Sequence, residues 1–338
     1  MTAPLPDGFL LRPATWEDLS AVVALFNACD HRFSGEDEHT EGGVRENWAT
    51  FGFDLARDAR VVLDPTGRLV GYEHVWDTAP PHVRFSLTGR VHPEAMGKGT
   101  GTTLVRWGEQ RARASVSLAP EGSRVVLRAT LFEEDAAGRA LLDAEGFMAV
   151  RHSFRMAVDL DSPPPPPAFP EGLRVRPFAP GKDLEATVAA EEEAFRDHWG
   201  FVEHPFAFKV EQWRRRMETS PSFDPSLWFL ALDGERIAGL ILCESSASDP
   251  ALAFVDTLAV RRPWRRRGLG LALLRHAFAA LHARGLRRAA LYVDGESLTG
   301  ATRLYERAGM TVERRFETWE RELHSGVDLS TQTALPRD

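Results

Sequence analysis

The spacing of apolar and polar residues between 258 and 274 predicts a strand, a tight turn and a helix. Leu258, Ala259 and Val260 form an apolar run typical of a buried strand, and Pro263 ends it. Leucines at 269, 271, 273 and 274 then begin an amphipathic helix. Gly268 and Gly270 lie in the turn between them, where the backbone can bend without side chains in the way.

The same pattern occurs twice along the chain. "GFLLRPATWEDL" in the first half matches "GLRVRPFAPGKDL" in the second, "VHPEAMGKGTG" matches "VRRPWRRRGLG", and "LLDAEGF" matches "LYERAGM". Five consecutive prolines separate the halves and predict an extended spacer with no packing of its own. We therefore predict an N-terminal domain over 1–158, a linker over 159–171, a C-terminal domain over 172–325 and a tail over 326–338.

Each half predicts the same order of elements. A strand is followed by two helices, a β-hairpin, a further strand, the glycine-containing turn, a helix, a strand, a helix and a final hairpin. Mixed strands and helices in this order indicate an α+β fold. The prediction is two tandem domains, each with a mixed, mostly antiparallel central sheet flanked by helices.

The turn between Val260 and Leu269 is a candidate anion site. Backbone N–H groups in such a turn point toward one spot beside a helix N-terminus, and Arg265, Arg266 and Arg267 add positive charge. A dinucleotide fingerprint needs a third glycine where Leu273 lies, and the Gly-Lys-Ser/Thr of a P-loop is absent. The alternative at this point is a solvated basic turn before an ordinary helix.

Two motifs together resemble the GNAT superfamily of N-acetyltransferases. The first is its pyrophosphate-binding pattern, at Arg265, Gly268 and Gly270. The second is a late helix of the form A-x-x-L-Y-x-x-x-G-F/M, at Ala301, Leu304, Tyr305, Gly309 and Met310. The resemblance covers almost the whole chain in two copies. It implies a tandem, two-domain enzyme that transfers an acetyl group from acetyl-CoA to a primary amine.

The resemblance also implies a set of site residues. It gives the role of cofactor-binding residues to Leu258, Ala259, Val260, Arg265, Arg266, Arg267, Gly268, Leu269, Gly270 and Leu271. Tyr305 would protonate the departing CoA thiolate, the alternative being a core tyrosine. Asp256, on one face with positions 254, 258 and 260 by strand periodicity, would be the general base if burial raises its pKa. The alternative is an aspartate bonded to a backbone amide or an arginine. Leu298 replaces a commonly seen asparagine.

The two halves are not equivalent. Met96 stands at the position of Arg265, Leu142 at that of Tyr305 and Leu87 at that of Asp256. Gly99 and Gly101 are retained, so the first loop can still hold a phosphate. We therefore expect catalysis in the C-terminal domain and a catalytically degenerate N-terminal domain.

Composition narrows the classes of partner. A net charge of −8 and a pI near 5.8 argue against a nucleic-acid binder. Two cysteines are too few for a disulfide framework, and neither they nor the histidines have metal-ligand spacing, so no metal is assigned. No apolar run is long enough for a membrane span, and the first residues do not resemble a signal peptide. These observations predict a cytoplasmic protein, and the internal duplication is compatible with a monomer or a homodimer.

In the fold that the resemblance implies, the segment over 191–217 shapes the acceptor site. This segment is rich in aromatic residues and also contains Asp197, His198, Glu203 and His204. Acidic groups beside aromatics would suit a cationic amine, whereas Phe and Trp at helical spacing are also typical of a core. A small amine is the expected acceptor. The alternatives are a protein or peptide amine, or a non-catalytic module that binds acyl-CoA.

Overall fold

A computed structural model describes residues 5–297 and 300–332, so the position of Leu298 lies outside the described residues. The chain divides into two compact units. The N-terminal unit comprises Met1–Arg151 with Phe316–Leu329, and the C-terminal unit comprises His152–Arg315 with Ser330–Asp338.

The N-terminal unit contains a sheet with helices packed on both faces. Its sheet order is β1-β2-β3-β4-β5-β12, where β12 is the last strand of the chain, Thr311–His324, and the strands are antiparallel except for the parallel pair β4–β5. One face packs against the first helices and the other against the two later ones. The elements are β1 Leu10–Pro13, α1 Leu19–Ser34, α2 Glu41–Trp48, α3 Leu55–Asp58, β2 Ala59–Leu63, β3 Leu69–Trp76, β4 Arg84–Val91, α4 Thr100–Arg113, β5 Val125–Phe132 and α5 Ala136–Ala144.

The C-terminal unit repeats this plan. Its sheet order is β6-β11-β10-β9-β8-β7, antiparallel except for the parallel pair β10–β11. The elements are β6 Met148–Asp159, β7 Leu173–Pro177, α6 Pro180–Phe195, α7 Phe206–Thr219, β8 Trp228–Asp233, β9 Arg236–Ser245, β10 Leu252–Val260, α8 Leu269–Ala283, β11 Arg288–Asp294, α9 Ala301–Arg307 and β12 Thr311–His324. The predicted α+β fold with two mostly antiparallel sheets is confirmed.

The final hairpins are where the predicted order is wrong. Each half ends in one long strand, because neither β6 nor β12 contains a glycine or proline that would make a turn. From His152 onward β6 pairs with β11 of the C-terminal unit, whereas β12 from Phe316 onward pairs with β5 of the N-terminal unit. Each unit is therefore completed by the last strand of the other half of the sequence, which the predicted boundaries at 158 and 325 do not follow.

The proline-rich segment also differs from its prediction, because its ends pack. Leu160 is buried in the core of the C-terminal unit, and its carbonyl oxygen lies 2.7 Å from Nδ1 of His282. Phe169 packs against the same core, with its ring edge-on to His276. Apolar residues on both sides of the prolines thus anchor a segment that prolines alone would leave extended.

The repeated Arg-Pro dipeptides have the same structural role in both units. The Arg12 guanidinium donates two hydrogen bonds to Asp18, and Arg176 does the same to Asp183. Each aspartate also accepts a backbone N–H from the residue that precedes its helix segment, at Thr15 and Ala179 respectively. These bidentate contacts fix the first strand of each unit to the helix that follows it.

Two further findings bear on the sequence predictions. Cys29 and Cys243 are both free thiols and both buried. Among residues 5–297 and 300–332, no helix combines the length and the apolar character that crossing a bilayer requires.

Candidate active site

The central strands of the C-terminal unit part at the predicted site. The parallel pairing of β10 with β11 covers Leu252–Phe254 and Arg288–Ala290 and goes no further in the described chain. Leu258, Ala259 and Val260 pair only with β9, at Ile241, Leu240 and Gly239. The opposite edge of these three residues is left for an extended ligand to add as a strand, as the pantetheine arm of CoA would.

The loop after β10 has the geometry of an anion site. Arg266 has a φ of 61° and Gly268 a φ of 85°, and α8 begins at the next residue. The first intrahelical bond runs from the Ala272 N–H to the Gly268 carbonyl, which leaves the N–H groups of Gly268, Leu269, Gly270 and Leu271 for a ligand. Arg266 and Arg267 are exposed beside them.

Arg265 lies in the loop, but its side chain is already used within the protein. Its guanidinium donates to the carbonyl oxygens of Val260 and Ala194, both at 2.9 Å, and to the carboxylate of Asp197. Arg262 bonds to the same carboxylate, and hydrogen bonds from Arg262 and Arg265 lower the pKa of Asp197 to about 2. The expected phosphate donor is thus a residue that ties the loop to the end of α6, and the exposed charges at 266 and 267 are those left for an anion.

Tyr305 lies on α9 at the same edge of the unit. Leu304 contacts the first turn of α8, where a Cβ on Gly270 would come within 3.0 Å of its Cδ2 atom. This close approach holds α9 against the loop. Tyr305 is buried, with 9% of its surface exposed, and burial raises its pKa to about 12. The hydroxyl is therefore protonated at neutral pH.

Asp256 differs from its prediction in two respects. It is the extra residue of a β-bulge, because Val255 pairs with Cys243 while Thr257 pairs with the adjacent Leu242. The bulge breaks the period of two, so positions 254, 256, 258 and 260 do not share one face. Ala253 and Val255 enter the same core cluster that Leu258 and Val260 pack against, whereas Phe254 joins another.

The expected burial of Asp256 is also absent. Its side chain is 37% exposed and lies 3.1 Å from Nη1 of Arg216, which also contacts Glu244 at 2.7 Å. The aspartate is therefore bonded to an arginine, as the alternative interpretation had it. The strand register further shows that Leu87, opposite Val75, corresponds to Val255 and not to Asp256.

Sequence reasoning missed a second carboxylate beside Asp256. Glu191 on α6 is half-buried, and burial raises its pKa, with the negative charge of Asp256 adding to the effect and Lys209 opposing it. The Nζ atom of Lys209 lies 3.6 Å from Glu191 and 3.9 Å from Glu192. The signal was available in the run Glu191–Glu193, since three acidic residues on an otherwise amphipathic helix place at least one of them toward the sheet.

Some residues of the aromatic segment over 191–217 belong to the core, whereas others are exposed. Trp213 is buried in the core between α6, α7 and the sheet, and Phe195 packs against that core. Phe206, by contrast, is exposed. Asp197, expected beside the acceptor, bonds to the loop arginines instead.

The N-terminal unit has a cleft at the equivalent place. Its volume is about 470 Å³, and its lining comes from α1, β3, β4, β5, α4, α5 and the loop before α4. That loop repeats the backbone of its counterpart: Gly97 has a φ of 73° and Gly99 one of 82°, where Arg266 and Gly268 stand in the other unit. Met96 and Leu142, which stand at the positions of Arg265 and Tyr305, both line the cleft.

Comparison with known proteins agrees with this geometry. The profile of the acetyltransferase (GNAT) family matches residues 188–310. A mycothiol acetyltransferase of Thermobispora bispora is 33% identical over 247 residues, which is 72% of this chain and 77% of the relative. The crystal structure of a GCN5-related N-acetyltransferase from Sphaerobacter thermophilus is 36% identical, with a TM-score of 0.82, over 98% of this chain and 100% of that one.

A more distant structure supports the tandem arrangement of the fold. A tandem GNAT protein from the clavulanic acid biosynthesis pathway has a TM-score of 0.69 at 18% identity, covering 94% of this chain and 99% of that one. These relatives support the activity that the family resemblance implied, the acetyl-CoA-dependent N-acetylation of a small-molecule amine. The chain belongs to the GNAT family of N-acetyltransferases and uses acetyl-CoA as its co-substrate.

Proposed function

We propose that the C-terminal unit catalyses acetyl transfer, with the cofactor between the open edge of β10 and the first turn of α8. The observation that carries the proposal is the coincidence of three features in one place. The unpaired edge of Leu258–Val260, the N–H groups from Gly268 to Leu271 and the protonated hydroxyl of Tyr305 all belong to the elements that surround this opening. They would bind the pantetheine arm, the pyrophosphate and the thioester sulfur respectively.

The reaction needs one group that accepts a proton and one that donates it. The amine attacks the thioester carbonyl, the C–N bond forms and the C–S bond breaks. We assign Glu191 as the proton acceptor, because burial raises its pKa toward the range that suits a general base. Asp256, exposed and bonded to Arg216, would instead attract the ammonium form of the acceptor. Tyr305 would donate its proton to the leaving sulfur.

The proposed acceptor is a cysteinyl amino sugar, the non-acetylated form of mycothiol. The proposal rests on the similarity to mycothiol acetyltransferases, several of which are 32–34% identical to this chain. The carboxylates of Asp256 and Glu244 support it, since both contact the single guanidinium of Arg216 and leave an excess of negative charge that a cationic amine would meet favourably.

Location and assembly are part of the same proposal. Buried free thiols at Cys29 and Cys243 suit a reducing compartment, so we propose a cytoplasmic enzyme. We propose a monomer or homodimer that binds acetyl-CoA and a small amine and has no nucleic-acid partner, in line with the net charge of −8.

The test is Tyr305→Phe, measured by CoA release with the cysteinyl amino sugar and by calorimetric titration with acetyl-CoA. We expect turnover to fall about a hundredfold, as for loss of a general acid, while the Kd for acetyl-CoA changes less than about threefold. Tyr292→Phe is the matched control, because that tyrosine lies on β11 with its side chain exposed. Unchanged turnover in Tyr305→Phe would remove the tyrosine from the mechanism.

A further inference from the structure

The cleft of the N-terminal unit contains a buried carboxyl group that the C-terminal unit lacks. Glu73 on β3 lines the cleft and is only 4% exposed. Its Oε1 atom has no hydrogen-bond partner among the described residues. A buried polar atom without a partner is costly, so its presence in a cleft calls for a ligand that satisfies it.

The strand register shows that this carboxyl replaces an apolar pair. Glu73 lies opposite Gly89, and the equivalent pair in the C-terminal unit is Ile241 opposite Leu258. A Cβ on Gly89 would come within 2.5 Å of Oε2 of Glu73. The glycine thus leaves the space that the carboxyl occupies, and the two positions differ together between the units.

Glu73 also lies on the side of the sheet where the lost tyrosine would have been. Residues 71, 73 and 75 of β3 share one face by strand periodicity. Gly71 contacts α4 on that face, and Val75 belongs to the cluster that contains Leu142, the counterpart of Tyr305. The N-terminal cleft therefore has an ionisable group on the face where α5 carries Leu142 in place of a tyrosine.

The surroundings keep this group protonated. Burial raises the pKa of Glu73 to about 8, opposed by the positive charge of Arg90 on β4. Arg90 is itself bonded to Asp30 of α1. The other charged or titratable residues that line the cleft are Cys29 and Arg32 of α1 and Asp135 before α5, whereas α4 and β5 contribute none to it.

We propose that the N-terminal unit is a second acyl-transfer site, for an acyl-CoA and a primary amine, in which the carboxyl of Glu73 protonates the leaving sulfur. The amine nitrogen bonds to the acyl carbon, the C–S bond breaks and the Glu73 proton passes to the thiolate. The proton released by the attacking nitrogen then restores the carboxyl. The cofactor class follows from the family, while the comparison with Tyr305 rests on the function proposed above.

The test measures the N-terminal site in full-length protein carrying Tyr305→Phe. CoA release from acetyl-CoA is followed from pH 6 to 9, with glucosamine as the amine and with water alone. Adding Glu73→Gln is expected to lower the remaining rate about a hundredfold below pH 8. The rate of CoA release without Glu73→Gln, divided by the rate with it, should decrease above about pH 8, where Glu73 itself loses its proton.

A second variant guards against misfolding. Glu73→Ile with Gly89→Leu installs the pair that already packs in the C-terminal unit, and it should abolish the N-terminal rate and remove one acetyl-CoA site in calorimetry. The control is Glu94→Gln, because Glu94 is an exposed carboxylate near the loop. It should change neither the N-terminal rate nor the number of acetyl-CoA sites. Equal rates with and without Glu73→Gln across the pH range would overturn the proposal. So would acetyl-CoA binding of unchanged stoichiometry in the double variant.

The two proposals fail separately in this design. Tyr305→Phe added to the Glu73→Ile/Gly89→Leu protein reports the C-terminal site alone. Loss of turnover there supports the C-terminal mechanism whatever Glu73 does, and its absence contradicts that mechanism alone.

Discussion

The strands β3 and β9 occupy the same place in the two units and carry opposite kinds of residue. In the N-terminal unit, Glu73 and His74 are both buried, whereas their counterparts Ile241 and Leu242 are apolar core residues. The loops beside these strands share one backbone conformation. Separate positions in the sequence therefore determine the shape of the opening and the chemical groups within it.

The comparison is tested most strongly by pH, because the two buried groups of β3 act in opposite directions. Burial lowers the pKa of His74 to about 3 from a usual 6.5, with Arg90 adding to the effect and Asp58 opposing it. The unfolded chain binds more protons between these values, so His74 lowers stability as the pH falls from 7 to 4, by about 3 kcal/mol. We expect His74→Phe to gain this amount relative to wild type over that range, measured by urea unfolding.

Glu73 should change the stability with pH in the opposite direction to His74. Its pKa rises from 4.5 to about 8 on folding, so the folded protein holds a proton that the unfolded chain releases between these values. Stability from this group is complete below pH 4.5 and declines as the pH rises through 8. Glu73→Gln should therefore gain about 3 kcal/mol relative to wild type between pH 4 and pH 7. Parallel slopes for the variant and wild type would contradict the assigned environment.

The next prediction concerns the two carboxylates at the acceptor end of the C-terminal unit. Glu191→Gln should lower kcat about a hundredfold, because it removes the proton acceptor. Asp256→Asn should lower kcat less than about threefold and act mainly through KM, because its carboxylate is exposed and bonded to Arg216. Steady-state kinetics with the cysteinyl amino sugar separate them. A larger kcat effect at Asp256 would restore the base role that the sequence predicted for it.

Strands β3 and β9 carry a glycine at the same position, Gly71 and Gly239, and substitution of the two should cost different amounts of stability. A Cβ on Gly239 would lie 2.9 Å from the backbone oxygen of Ala259, whereas a Cβ on Gly71 would meet only side-chain atoms, the nearest at 3.0 Å. Side chains can move more readily than a strand backbone, so Gly239→Ala should cost about 2 kcal/mol and Gly71→Ala roughly 1 kcal/mol or less. Thermal unfolding of the two variants measures this, and equal losses would contradict it.

The smallest effect is expected at the loop position where the units carry Arg265 and Met96. Arg265→Met removes the bonds to Val260, Ala194 and Asp197, which should loosen the loop and weaken acetyl-CoA binding at the C-terminal site about fivefold. Met96→Arg should change acetyl-CoA affinity less than about twofold. Calorimetry with acetyl-CoA checks both, and a much larger loss at 265 would indicate direct contact with the pyrophosphate.

Much of the fold could be predicted because local sequence determines it. The apolar run ending at Val260, the glycines of the loop and the repeated Arg-Pro dipeptide all act within a few residues of themselves, and each lies in the predicted element. The resemblance to the family carried the activity, which no local pattern states.

The features that the sequence analysis predicted wrongly or missed depend on contacts between residues far apart along the chain. Nothing in Met148–Asp159 identifies β11 as its partner, so a hairpin was the default expectation. The bulge at Asp256 results from register against β9, and it changed both the face and the exposure of that residue. Glu73 resembles an ordinary polar position of a strand, and only the missing side chain of Gly89, paired with it across the sheet, reveals why it is tolerated inside.

The way the long strands are shared has an evolutionary consequence. A gene cut at the prolines would encode a first product without the Phe316–His324 segment that pairs with β5 and a second product without the segment that pairs with β11. Each product would have to pair its own last strand where this chain uses the strand of the other half, so separating the copies requires both sheets to be rebuilt. A duplication arranged in this way is difficult to reverse, which lets an N-terminal copy with changed chemistry persist as long as the C-terminal copy is under selection.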